Sequence, residues 1–165
     1  MSKSCVSNAY LFQEAINHVR WKTTLRTKVL KQDIFQKRNL HKFAGKSFEE
    51  ILLTVHNICK DITGIGMLSV YDITAAICRF NNINIDKVYI VGKGPKRAVN
   101  LLNIRTKIQK IGEIALKYVT IEEVKSAFEK HGYILELDLE RSSADDLESY
   151  LCNWQKSSPP KKKKN

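Results

Sequence analysis

Cys59-Lys60-Asp61-Ile62-Thr63-Gly64-Ile65-Gly66-Met67-Leu68-Ser69-Val70-Tyr71-Asp72 is the stretch whose reading decides the fold. Upstream, Ser47-Phe48-Glu49-Glu50 has the spacing of a capping box, in which the Ser47 hydroxyl and the Glu50 carboxylate satisfy helix-end amides. It opens a helix with Ile51, Leu52, Val55, Ile58 and Cys59 on one face. Gly64-Ile65-Gly66 breaks that helix, and Leu68 to Phe80 forms the next, with Val70, Ile73, Thr74 and Ile77 inward. Two glycines permit a tight turn with positive φ, which this reading assigns to Gly66, while Ile65 pins the turn to the core. A turn of this kind aims the first amides of the second helix outward, where a phosphate can accept them.

Working outward, the chain reads mostly as helices. Tyr10 to Val19 and Trp21 to Phe35 carry apolar residues near helical spacing, and Arg38 to Lys46 reads as a loop. Ile85 to Val91 is short and β-branched, the pattern of a strand or extended segment. Pro95 then stands as a first helical residue ahead of Ala98, Val99, Leu101 and Leu102. Ile108 to Tyr118 is expected to be helical. Thr120-Ile121-Glu122-Glu123 is a second capping box, whose helix ends at His131-Gly132. Tyr133 to Leu139 alternates with period two, the mark of a half-buried strand or an extended connector. Ser143 caps a last helix through Trp154. The expected class is mainly α: one compact helical domain over 1–156, a hairpin region over 47–103, at most a minor β element, and a disordered basic tail over 157–165.

The charge is unevenly spread. Of 165 residues, 28 are Lys or Arg and 17 Asp or Glu, a formal charge of +11. Residues 1–46 hold ten Lys/Arg against Glu14 and Asp33 alone, and residues 87–112 hold seven with no acid. Such blocks attract phosphate backbones through counterion release and steering. No run approaches the roughly 18 apolar residues that cross a bilayer, and the first residues lack the apolar run of a secretory signal. The four cysteines are scattered singly. A membrane protein, a secreted disulfide scaffold and a zinc ribbon are therefore not expected, and the expected compartment is the cytoplasm.

Helix, apolar residue, Gly-Ile-Gly and apolar helix together resemble the helix-hairpin-helix superfamily of DNA repair and DNA-binding proteins. Val91-Gly92-Lys93-Gly94-Pro95-Lys96-Arg97-Ala98-Val99-Asn100-Leu101-Leu102 is similar to the turn and second helix of the same superfamily. The strand-like Val88-Tyr89-Ile90-Val91 ahead of it departs from the family pattern, and a glycine-rich strand-to-helix turn is the competing reading. Either way the start of that helix is an anion site flanked by basic side chains. Gly64 to Leu102 also resembles a group of uncharacterised bacterial proteins with a Gly-Ile-Gly-x-Leu-x-Val-Tyr-Asp hairpin, and Ser143 to Trp154 is similar to their C-terminal end. That likeness bears on fold.

The resemblance implies duplex or branched DNA as partner, held by its backbone with little sequence readout. The residues implicated are Gly64, Ile65 and Gly66, and Gly92, Lys93, Gly94, Lys96 and Arg97. Superfamily glycosylases place a catalytic aspartate about twenty residues after the hairpin, and Asp86 matches that position. Leu68 stands where bifunctional members carry a lysine nucleophile, so only monofunctional base excision would remain. A capping role for Asp86 ahead of Lys87–Val91 competes with catalysis. A protein-interaction module docking through its acidic C-terminal segment is the third reading. His56 and Cys59 form one i,i+3 pair, half a metal site at most, so no metal and no cofactor is expected.

Overall fold

The computed structural model describes residues 41–157, which divide into two compact units with the boundary between Asn84 and Ile85. The helices expected before residue 38 and the lysine tail lie outside the described residues. Among the described residues the fold is mixed rather than purely helical: five α-helices accompany a small three-stranded sheet. Among the described residues no helix is long and apolar enough to cross a membrane.

The described part of the first unit is a helical hairpin. After a short 3-10 turn at His41–Phe43, helix α1 (Phe48–Cys59) starts at Ser47, whose hydroxyl accepts from the Glu50 amide at 3.2 Å. The Glu50 carboxylate returns the bond, accepting from the Ser47 amide at 2.8 Å. Helix α2 (Met67–Phe80) buries six consecutive residues, Ile73 to Cys78, so it is enclosed on more than one face. Phe48 of α1 meets Tyr71 of α2 edge-to-face, ring centroids 6.1 Å apart.

The second unit runs β1 (Val88–Tyr89), α3 (Lys93–Leu101), β2 (Lys107–Ile111), β3 (Ile114–Val119), α4 (Ile121–His131) and α5 (Ala144–Trp154). Strand β3 lies between β1 and β2 and is antiparallel to both, so β1, α3 and β2 form a split strand–helix–strand unit. The helix expected over Ile108 to Tyr118 is instead the β2–β3 hairpin. Its two-residue turn is Gly112-Glu113, with Gly112 at φ +57° and Ile111 paired to Ile114. Tyr133 to Leu139 is an extended connector rather than a paired strand. Its odd-numbered residues lie half-buried against a core of Val88, Val99, Leu102, Val124, Phe128 and Leu147. Phe128 is the aromatic centre, 4.9 Å from the Trp154 ring and 6.2 Å from that of Tyr133.

Candidate nucleic-acid interface

The α1–α2 turn is built by local bonds. The Ile62 amide donates to the Cys59 carbonyl at 2.9 Å and the Ile65 amide to the Ile62 carbonyl at 3.1 Å. The positive φ falls on Gly64, at +84°, and not on Gly66. Gly66 is the N-cap of α2 in extended conformation, φ −99° and ψ 178°, and a Cβ there would meet open space. The conformational demand thus sits two residues earlier than the sequence reading placed it, because the extended N-cap geometry of a helix suits any residue. Gly64 and Gly66 are exposed, and Ile65 is half-buried.

The second turn differs from a hairpin in kind. It is preceded by strand β1, so the second helix-hairpin-helix is not formed; the segment is a strand-to-helix turn. Helix α3 begins at Lys93, which makes Pro95 its third residue, not its first. Proline tolerates that position because first-turn amides have no intrahelical partner. The Lys96 amide already donates to the Gly92 carbonyl at 3.3 Å. With proline lacking an N–H, the first turn has the Lys93 and Gly94 amides left to offer a ligand.

Gly94 has a packing role that composition does not disclose. A Cβ on it would lie 2.5 Å from Cys152 Sγ and 3.2 Å from Cys152 Cα. The absence of a side chain therefore lets α3 lie directly on α5, with Pro95, Ala98 and Val99 buried beneath it. The opposite side of α3 presents Lys93, Lys96 and Arg97, all exposed.

Helix starts fall into two groups. Helices α1, α4 and α5 each carry a reciprocal capping box and acids in the first turn. Helices α2 and α3 have glycine N-caps, no capping side chain and no acid in the first turn. An acid there would repel a bound anion, and a capping oxygen would occupy an amide. The two uncapped starts are not equal. Lys60 near the α2 start is offset by the exposed Asp61, whereas three cations surround the start of α3. A strand ending in a Gly-rich turn at a helix N-terminus is also the arrangement that receives phosphates in open α/β units.

Asp86 lies just before β1, 71% exposed and 3.8 Å from Lys87 Nζ. It does not cap a helix. A carboxylate that stabilises an oxocarbenium-like transition state works where water is excluded, and Asp86 stands in solvent. Cys59 is fully buried, and burial pushes its thiol up to about 11. Among the described residues no group of three His, Cys, Asp or Glu comes together as a metal cluster would. No family model matches the chain, and no curated protein or solved structure is significantly similar to it.

Proposed function

We propose that this protein binds DNA through its phosphate backbone, with the start of helix α3 as the principal contact and the Gly64-Ile65-Gly66 turn as a second. The observation that carries this reading is the α3 start: Lys93, Lys96 and Arg97 stand exposed around a glycine-capped helix end without an acid in its first turn. The free amides and the helix dipole favour an anion there, and the cations add charge-assisted bonds to the same group. The surrounding 87–112 segment contains no acid to neutralise them. Contacts of this kind read phosphates and not bases, so affinity is expected to depend on salt far more than on sequence. Asp86, solvated and beside Lys87, has no catalytic part in this reading.

The test is binding measured over a salt series with duplex, single-stranded and branched DNA. Duplex or branched DNA should bind more tightly than single strands, with affinity falling linearly on a log–log salt plot. Affinity that is flat in salt, or absent at low salt, would overturn the reading. Release of free base from damaged duplex, lost in Asp86→Asn, would establish the glycosylase-like alternative.

A further inference from the structure

Two strips of the second unit oppose one another in charge, and each sets an exposed isoleucine two residues from a charged side chain. The first lies on the sheet. Residues paired across β2 and β3 share a face, and Ile108 pairs with Lys117 while Lys110 pairs with Ala115. That face is covered at the β1 end, where Val88 and Val119 are fully buried, and is open at the β2 end. Ile108 is 63% exposed there, with Lys110 and Lys117 exposed beside it.

The second strip is the extended connector. Its odd-numbered leucines turn inward, so Ile134, Glu136, Asp138 and Glu140 all face solvent, and Ile134 is 80% exposed. Ile134 and Ile108 are the two most exposed large apolar side chains among the described residues. One sits among lysines and the other beside acids. Extended chain repeats every two residues at about 6.6 Å, so Ile108 and Lys110 on one strip are spaced as Ile134 and Glu136 are on the other. Asp138 already shares its charge with Arg141, 3.6 Å away. Glu136 and Glu140 are the acids left to recognise a partner.

We propose that the acidic strip Ile134–Glu140 of one copy of this chain docks on the basic face around Ile108 of a second copy. The two isoleucines would be buried together, with Glu136 between Lys110 and its diagonal neighbour Lys117, and Glu140 adding to the negative field of the strip. Like strips repel: two basic faces cannot meet, nor can two acidic connectors, so charge selects the unlike pairing. The patch is small, so the association is weak and reversible. The inference does not depend on the DNA-binding reading.

The experiment is a charge swap on the full chain, read by sedimentation at low salt without nucleic acid. The wild type should self-associate at about 0.1–1 mM, and Lys110→Glu/Lys117→Glu and Glu136→Lys/Glu140→Lys should each weaken this by roughly tenfold or more. An equimolar mixture of the two variants should restore association, because each then presents what the other lacks. Circular dichroism establishes that each variant is folded; the neutral pair Lys110→Gln/Lys117→Gln replaces one that is not, and should weaken association in the same direction. A wild type that stays monomeric, variants that associate as it does, or a mixture that fails to recover would each overturn the proposal. So would loss of DNA affinity in Lys110→Glu/Lys117→Glu with self-association unchanged, which would make this face a nucleic-acid surface.

Discussion

At the scale of single residues, two glycines carry different burdens. Gly64 holds φ at +84°, a conformation that β-branched residues reach only with strain. Gly64→Val is expected to lower stability by about 1–3 kcal/mol in thermal or urea unfolding. Gly66→Ala, in extended backbone with open space around it, is expected to change the midpoint little. Equal losses in the two variants would show that the turn is built differently. Gly94 has ordinary helical backbone and owes its identity to Cys152. Alanine is the better helix former by about 1 kcal/mol, yet Gly94→Ala should destabilise by about 1–3 kcal/mol through overpacking against α5. Cys152→Ala removes the Sγ nearest that new methyl, so the double variant should recover part of the loss. Strictly additive losses would place the strain elsewhere.

At the scale of elements, the capping boxes are the most legible feature. Both expected boxes form, and the expected Ser143 cap closes as a third box with Asp146, because a cap is closed by residues three apart and needs nothing distant. The β2–β3 hairpin was hidden for the same local reason turned around. Ile111 and Ile114 pair across a two-residue turn, and their separation of three is also the separation of neighbours on a helix face. The hairpin is tied to α4 by Glu123, which accepts from Lys107 at 2.8 Å while closing the Thr120 box. The Lys107 ammonium, and then the Thr120 amide, hold the Glu123 carboxyl below its usual 4.5. A carboxylate with a depressed folded value contributes stability above its unfolded value and loses it as pH falls through the folded one. The melting temperature of the wild type should therefore fall below pH about 4.5, and Glu123→Gln should be less stable at pH 7 with the gap closing in acid. A gap unchanged between pH 7 and pH 3 would contradict this.

At the scale of the whole molecule, the charge blocks matter more than any one turn. Lys96 and Arg97 are exposed, so replacing both with alanine should leave the unfolding midpoint nearly unchanged. DNA affinity should drop by similar factors for unrelated sequences, and the log–log salt slope should fall by about two if both side chains meet phosphates. Loss confined to one sequence would point to base readout. An unaltered slope in the folded double variant would move the DNA surface away from α3, with the basic block Arg20–Lys46 the next place to test.

The sequence by itself determined where helices α1, α2, α4 and α5 lie and where three of them are capped, since periodicity and caps are properties of neighbouring residues. It also determined the acid-free stretch around Lys93, Lys96 and Arg97, because charge is additive along the chain. Tertiary structure decided between the strand and hairpin-helix readings of the segment before α3, since β1 exists by hydrogen bonding to β3, some thirty residues downstream. It alone gave Gly94 its purpose, which depends on Cys152 being brought against it by the packing of α3 on α5. And it alone set Ile108 on an open basic face, because which side of a strand stays uncovered is settled by where the helices end.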